Sequence, residues 1–169
     1  IVSTIFVTMN VLYQISIYAY LIAVKCASLF NGKAKLWLKG RQHIFDKIKK
    51  EVNPADKIYW FHCASLGEYE QGKPLIEKLK NQDNTLKILV TFFSPSGYEL
   101  KKNDPLINYC FYLPIDTAKN AEKLIKLVNP EKAFFIKYEF WFYYLQELHT
   151  KKIPTYLVSG VFREKQLFF

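Results

Sequence analysis

The chain has 169 residues, enough for one domain with a hydrophobic core of its own. Half of the residues are apolar and 17% are aromatic, which excludes disordered and collagen-like proteins. The net charge of +9 is uneven, because residues 1–53 contain eight basic and only two acidic side chains. The three cysteines are scattered and the three histidines lack metal-ligand spacing. We therefore expect a reducing compartment, no disulfide framework and no bound metal.

The first 24 residues contain no charged side chain. As a helix they would span about 36 Å, more than the roughly 30 Å of a bilayer's hydrocarbon core. Polar residues such as Asn10 and Gln14 interrupt the run, so a helix lying flat on the membrane or on the protein is an alternative. A signal peptide fits less well, because a basic leading segment is absent and the apolar run is long. We favour a membrane-anchor helix within residues 1–30.

Basic residues begin at Lys25 and continue through a juxtamembrane segment, residues 31–53. Positive charge beside a membrane helix is retained in the cytoplasm, which predicts that the rest of the chain lies on the cytoplasmic side. Such a cluster also attracts an anionic membrane surface, at about 1 kcal/mol per Lys or Arg near the headgroups. An ordinary solvated helix face is the alternative. We expect no nucleic-acid partner, because no binding motif accompanies the charge.

From Pro54 onward, short apolar runs alternate with helical patterns. This alternation predicts an α/β domain over residues 54–169, with a Rossmann-like parallel sheet covered by flanking helices on both faces. Strands are predicted at 57–63, 86–93, 109–113, 133–136 and 153–159, and the longer helices at 67–80, 118–128 and 140–149.

Glu68 is a candidate for chemistry, because it lies where the turn after the first strand becomes a helix. Ligands of open parallel sheets bind beyond the carboxyl ends of the strands, and the strand assignment places Glu68 there. A carboxylate in the first helical turn also gains about 0.3–1 kcal/mol from the helix dipole, so a purely structural role is the alternative. As a general base it would take a proton from an acceptor hydroxyl, which is worth roughly 10²–10⁴ in rate.

Five stretches occur in a familiar order and spacing: "WFHCASLGEYEQGKPLIEKL", "KILVTFFSPSGYE", "YLPID", "FFIKYEFWFYYL" and "IPTYLVSGVFRE". Together they resemble the N-terminal half of the 3-deoxy-D-manno-octulosonic acid (Kdo) transferases of Gram-negative bacteria. The resemblance covers essentially the whole chain. Its most specific element is "ASLGE", since the family typically has Ala-Ser-(Val/Leu)-Gly-Glu after its first strand.

The resemblance implies a GT-B glycosyltransferase of the inner membrane. Such enzymes transfer Kdo from CMP-Kdo to a lipid A precursor in lipopolysaccharide biosynthesis, with inversion and without a metal or other cofactor. It also implies that this domain holds the acceptor, while a second Rossmann-like domain binds CMP-Kdo. Nothing in the sequence resembles that second domain, so we expect a fragment that is inactive alone.

The resemblance assigns site residues as well. Glu68 matches the family's proposed general base, Glu139 matches a glutamate lining the same cleft, and Arg163 matches an arginine that would contact an anionic group. The other matches are turn positions around the acceptor: Ser65, Gly67, Ser94, Ser96 and Gly97. The sequence departs from the family at Lys137, where many members are acidic, and at Phe142, where many have proline. Lys137 is therefore not carried over as a site residue.

Two other functions fit the sequence. One is a non-catalytic, membrane-tethered α/β module that binds a partner or a nucleotide, which a chain of this length could form without a second domain. The other is a GT-B transferase that acts on a different lipid-linked acceptor.

Overall fold

The structure, a computed structural model, describes residues 2–160, with side chains from Asn10 onward. Within this range the helices are α1 (Val2–Ala27), α2 (Gly32–Lys39), α3 (Ile44–Glu51), α4 (Leu66–Gln82), α5 (Pro95–Lys101), α6 (Ala118–Val128) and α7 (Phe142–Thr150). The strands are β1 (Ile58–Cys63), β2 (Lys87–Phe92), β3 (Tyr109–Tyr112), β4 (Lys132–Ile136) and β5 (Thr155–Val158).

The five strands form one parallel sheet in the order β3-β2-β1-β4-β5, which confirms the predicted α/β fold. The chain first moves outward from β1 to β2 and β3, then returns to the other side of β1 to add β4 and β5. The order therefore reverses between β1 and β4. Open α/β sheets bind their ligands at such a reversal, outside the carboxyl ends of the strands.

The sheet separates two hydrophobic cores, because successive strand residues point to opposite faces. On one face Trp60, Leu89 and Phe135 belong to a cluster with residues of α3, α6 and α7. On the other face Phe61 and Val90 belong to a cluster with residues of α4. The predicted cover on both faces is confirmed for the inner strands. The edge strand β5 is more exposed, with Thr155, Tyr156 and Leu157 all reaching solvent.

Local signals set the helix boundaries. The hydroxyl of Thr117 accepts a hydrogen bond from the backbone N–H of Asn120 and so caps the start of α6. Asn129 ends this helix with a left-handed φ of 43°, directly before Pro130. The same kind of punctuation separates the other elements, which explains why the strands and longer helices lie within about two residues of their predicted bounds.

The basic segment 31–53 is helical. It forms α2 and α3, whose apolar residues Trp37, Ile44 and Ile48 are buried against the domain. Most lysines of the two helices are exposed on their outer faces. The segment is therefore both a packed part of the domain and a positively charged surface.

Among the described helices, α1 alone is long and apolar enough to cross a membrane, and the apolar window is Asn10–Ala27. Length and composition alone support this, and a core helix or a signal sequence can meet the same criterion. Its outward residues are exposed and largely apolar, among them Val11, Leu12, Ile15, Tyr18 and Ile22.

Candidate active site

The carboxyl ends of β1 and β4 place the two predicted glutamates on either side of the reversal in strand order. Glu68 lies in the first turn of α4, five residues after the end of β1. Glu139 lies three residues after the end of β4. Lys137, between the end of β4 and Glu139, has a left-handed φ of 64°, a conformation that non-glycine residues seldom adopt. This turn redirects the chain after β4, so that Glu139 comes back against the end of β1.

The Glu68 carboxylate completes a capping box at the start of α4. Its Oε2 accepts a hydrogen bond of 2.7 Å from the backbone N–H of Ser65, and the Ser65 hydroxyl lies 3.3 Å from the same oxygen. The structural role considered for Glu68 is therefore real. Both contacts use Oε2, and among the described residues no hydrogen bond reaches Oε1. The capping box fixes the orientation of a carboxylate that keeps one oxygen available.

Glu139 is part of a network with His62 and Trp141. Its Oε2 lies 3.3 Å from Nε2 of His62 and accepts a 2.9 Å hydrogen bond from the indole N–H of Trp141. The same indole nitrogen lies 3.0 Å from Nε2 of His62. His62 is completely buried, whereas the Glu139 side chain is 17% exposed. The carboxylate therefore links a buried ring to the open edge of the sheet.

The hydrogen bonds of the network depend on the tautomer of His62. With its proton on Nδ1, the ring donates to the carbonyl of Thr91 at 3.1 Å and accepts from the indole N–H of Trp141 at Nε2. With its proton on Nε2, the ring donates to Glu139 instead, and Trp141 then donates to Glu139 alone.

The orientation of His62 is set by the neighbouring strand. His62 lies opposite Thr91 in the β1–β2 register, and its Nδ1 is 3.0 Å from the Thr91 hydroxyl. That hydroxyl also accepts a 2.8 Å hydrogen bond from the indole N–H of Trp60. His62 is thus packed inside the sheet, and it also contacts the predicted site residue Glu139.

The predicted turn residues after β2 have clear local roles. The hydroxyl of Ser94 accepts from the backbone N–H of Ser96 and caps α5, and the two hydroxyls lie 2.9 Å apart. Gly97 is buried against the ring of Phe92, where a side chain would not fit. Gly67 is exposed, and a side chain there would meet nothing within 4 Å. Of the two glycines, only Gly67 has open space on its Cβ side.

Asp116, the last residue of the "YLPID" stretch, is a buried carboxylate whose contacts were not predicted. Its two oxygens accept hydrogen bonds of 3.1 Å from the backbone N–H groups of Tyr143 and Tyr144, in the first turn of α7. It also accepts a 2.5 Å hydrogen bond from the hydroxyl of Tyr13 in α1. Burial raises the pKa of Asp116, and the three hydrogen bonds oppose that shift. Since α7 begins directly after Trp141, this carboxylate fixes the end of the Glu139 loop.

Arg41 is a partly buried group that was counted from the sequence only as part of the basic segment. Its guanidinium donates to the carbonyls of Trp37, Phe93 and Leu113 at 2.9–3.0 Å and lies 3.7 Å from the centre of the Trp37 ring. Among the described residues it forms no ion pair with a carboxylate. Burial lowers its pKa to about 9, so the group is still charged at neutral pH. It joins α2 to the ends of β2 and β3.

An apolar cavity of about 280 Å³ lies between α1 and the edge of the sheet. Its lining is Ser16, Ile17 and Tyr20 of α1, together with Phe93, Ile115, Asp116 and Trp141. The cavity thus has the membrane-type helix on one side and the indole that contacts Glu139 on the other. The candidate site therefore has an apolar compartment that reaches Glu139 through Trp141.

The predicted site residue Arg163 lies outside the described residues. Within residues 2–160, no group of three or more His, Cys, Asp and Glu side chains could hold a metal ion. The free cysteines Cys63 and Cys110 are buried in the sheet, and burial raises the pKa of both thiols.

Comparisons with known proteins identify the family of the chain. The profile of the 3-deoxy-D-manno-octulosonic-acid transferase (kdotransferase) family matches residues 38–168. The chain is 31% identical over 113 residues to the 3-deoxy-D-manno-octulosonic acid transferase of Aquifex aeolicus, covering 66% of this chain and 30% of that protein. The Haemophilus influenzae protein of the same name is 30% identical over 110 residues, which cover 63% of this chain and 25% of that protein.

A third relative extends the aligned region. The 3-deoxy-D-manno-octulosonic acid transferase of Chlamydia muridarum is 24% identical over 138 residues, or 80% of this chain and 31% of that protein. The chain thus spans less than a third of the length of these curated relatives. The family match includes β1 to β5 and both glutamates of the candidate site. The chain therefore belongs to the Kdo transferase family.

Proposed function

We propose that the chain is the acceptor-binding half of a GT-B glycosyltransferase that transfers Kdo from CMP-Kdo to a lipid A precursor. The observation that carries the proposal is the position of Glu68 and Glu139. The two carboxylates follow β1 and β4, on either side of the point where the strand order reverses. This is where an open parallel sheet binds its ligand. The family membership supports a glycosyltransferase, and the remaining part of the protein would bind the donor.

In the proposed reaction, an acceptor hydroxyl attacks the anomeric carbon of Kdo on the face opposite CMP. The new carbon–oxygen bond forms as the bond to the CMP phosphate oxygen breaks, and CMP leaves with the electron pair. Glu68 takes the hydroxyl proton. This single displacement inverts the anomeric centre and needs no metal to hold the acceptor. Among the described residues, no group hydrogen-bonds Oε1 of Glu68, which lies beside the open backbone of Gly67 and so suits this role.

The acceptor would reach this site from the cytoplasmic leaflet of the inner membrane. Helix α1 exposes an apolar outer face, and the loop after it exposes Leu29 and Phe30, which are 76% and 93% accessible. Exposed lysines of α2, including Lys33 and Lys35, follow directly. Apolar tips next to lysines favour contact with anionic headgroups. The same positive surface would attract the phosphates of a lipid A precursor.

The test is a Glu68→Gln substitution in the full-length enzyme. Glutamine also completes a capping box, so the start of α4 is preserved while the base is lost. We expect kcat to fall by roughly 10²–10⁴ with an unchanged melting temperature. Glu70→Gln is the matched control, because Glu70 lies two residues further along and pairs with Lys101 on the surface at 2.7 Å.

Turnover is measured with CMP-Kdo and a tetraacylated, bisphosphorylated lipid A precursor. A Glu68→Gln enzyme with near-normal kcat would remove Glu68 from the mechanism. If Glu139→Gln then showed the large loss instead, the base would belong to the His62–Glu139 network. Absence of Kdo transfer by the wild-type enzyme, with activity on another lipid-linked acceptor, would favour the alternative GT-B function.

A further inference from the structure

The inner face of α1 contacts the candidate active site through specific polar groups. Tyr13 donates to Asp116 at 2.5 Å, and the amide of Gln14 donates to the hydroxyl of Tyr143 at 2.6 Å. One turn further on, Ile17 is buried, and the ring of Tyr20 packs against Phe93 with centroids 6.0 Å apart. A helix that served only to anchor the protein would not need polar contacts at this spacing.

Asp116 connects this face of α1 to the start of α7. It is almost completely buried, and it accepts hydrogen bonds from Tyr13 on one side and from the Tyr143 and Tyr144 backbones on the other. Trp141 occupies the N-cap position of α7 but its side chain makes no capping hydrogen bond. Asp116 supplies that cap from a different loop. The first turn of α7 is therefore held by a carboxylate whose third partner is the hydroxyl of Tyr13.

The start of α7 in turn determines where Glu139 lies. Trp141 directly precedes the helix, and its indole donates to both Glu139 and His62. Across the apolar cavity, Trp141 faces Ile17 and Tyr20 of α1. A movement of α1 would change the lining of this cavity. Because Asp116 joins α1 to the start of α7, the movement would also shift the Trp141 indole. The helix is thus mechanically linked to a carboxylate of the site.

We propose that α1 forms one wall of the acceptor cleft. In this arrangement Tyr13 and Asp116 are positioning residues, which hold the Glu139–Trp141 loop in place through the start of α7. The inference rests on the proposed acceptor function of this edge of the sheet. It adds that the membrane-type helix has a second role besides attachment. Loss of the Tyr13 hydroxyl should therefore impair acceptor use while the protein stays in the membrane.

The first test is Tyr13→Phe in the full-length enzyme. Phenylalanine keeps the ring contacts of Tyr13 with Phe142 and Tyr143, at centroid distances of 5.6 and 5.8 Å, and removes only the hydroxyl. Tyr18→Phe is the control, because Tyr18 lies on the same helix with its side chain 56% exposed. A hydrogen bond to a buried charged group corresponds to about tenfold or more in an equilibrium. We expect kcat/KM for the acceptor to fall by about tenfold or more in Tyr13→Phe and by less than twofold in Tyr18→Phe.

Two readouts separate positioning from a general loss of structure. The KM for CMP-Kdo should stay unchanged, because the donor is expected to bind in another domain, and both variants should fractionate with the membrane as the wild type does. Hydrogen exchange by mass spectrometry in detergent should show faster exchange of residues 142–146 in Tyr13→Phe only, because the Tyr143 and Tyr144 amides lose part of their cap.

Equal acceptor kinetics for the two variants, or unchanged exchange over residues 142–146 in Tyr13→Phe, would overturn the proposal. The exchange measurement needs neither substrate, so it tests the link from α1 to α7 even if the wild-type enzyme transfers no Kdo. Absence of wild-type transfer would count against the proposed function alone. Asp116→Asn gives a second test of the link, with the same expected increase in exchange over residues 142–146.

Discussion

Two glycines of the predicted acceptor site should respond in opposite ways to replacement by alanine. A Cβ at Gly97 would lie 2.2 Å from Cδ1 and 2.7 Å from Cε1 of the Phe92 ring. Non-bonded carbon atoms prefer about 3.5–4.0 Å, so the ring would have to move by more than about 1 Å. Phe92 has no free space for this, because it is fully buried and packs against the Tyr69 ring at 5.8 Å.

The expected cost of Gly97→Ala follows from these distances. Overpacking a core typically costs about 1–3 kcal/mol, and an overlap of this size belongs to the upper part of that range. The higher helix propensity of alanine offsets roughly 0.5–1 kcal/mol of this cost. The net loss is about 2 kcal/mol, which for a chain of this length lowers the melting temperature by about 4–8 °C. By contrast, Gly67→Ala meets no atom within 4 Å and should leave stability unchanged or slightly raised.

Thermal unfolding in detergent, followed by tryptophan fluorescence, measures both variants. A Gly97→Ala melting temperature equal to that of Gly67→Ala would refute the packing argument. Activity of the full-length enzyme gives the complementary result. If the acceptor approaches the backbone at Gly67, the Gly67→Ala enzyme should lose at least tenfold in kcat/KM for the acceptor while its melting temperature is unchanged. Full activity would mean that no substrate atom comes close to Gly67.

Two further predictions concern the sheet and a helix end. Thr91→Val leaves the buried indole N–H of Trp60 without an acceptor, so we expect a loss of about 1–3 kcal/mol in the free energy of urea unfolding. Hydrogen bonds from Thr85 and Lys57 lower the pKa of Asp83 from 3.8 to about 2. The Asp83 carboxylate therefore stabilises the fold above pH 4 and loses this effect as the pH falls towards 2. The stability difference between wild type and Asp83→Asn should shrink over that interval and should not change between pH 5 and 7.

The sheet could be predicted from the sequence because its strands are short apolar runs between strong breakers. The run Leu86–Phe93 lies between a polar stretch and Ser94-Pro95, and β2 occupies Lys87–Phe92. The stretch from Ile58 to Cys63 contains no charged residue and predicts a buried strand, and all six residues of β1 are buried. The parallel pairing then follows from the alternation of strands and helices, whereas the strand order β3-β2-β1-β4-β5 was not predicted. Such signals are local, so the strands can be predicted without knowledge of the tertiary contacts.

The network around Glu139 could not be predicted, because its members meet only through register and an unusual backbone turn. Thr91 reaches His62 because the two residues are opposite each other in paired strands. Trp141 reaches His62 because Lys137, in a left-handed conformation, redirects the chain after β4. Nothing in a lysine at that position indicates such a turn. A resemblance to the family identified Glu139, but its partners required the coordinates.

The charge of the N-terminal segment divides into two kinds, which a count of basic residues does not separate. The exposed lysines of α2 and α3 act at long range, and salt screens their attraction for anionic lipid over about 8–10 Å. Arg41 belongs to the same count, but its partly buried guanidinium donates to the carbonyls of Trp37, Phe93 and Leu113.

Arg41 also helps to hold α1 and α2 beside the candidate site. Tyr20 of α1 packs on both Trp37 and Phe93, at centroid distances of 5.8 and 6.0 Å, so Arg41 and Tyr20 together clamp α1 and α2 to the ends of β2 and β3. Tyr13 clamps α1 to Asp116 at the other side of the cavity. With α1 fixed at both points, a lipid held along this helix would already be aligned with the strand ends where Glu68 and Glu139 lie. The same contacts that attach the helix to the domain would then orient the acceptor, and less orientational freedom would be lost in reaching the transition state.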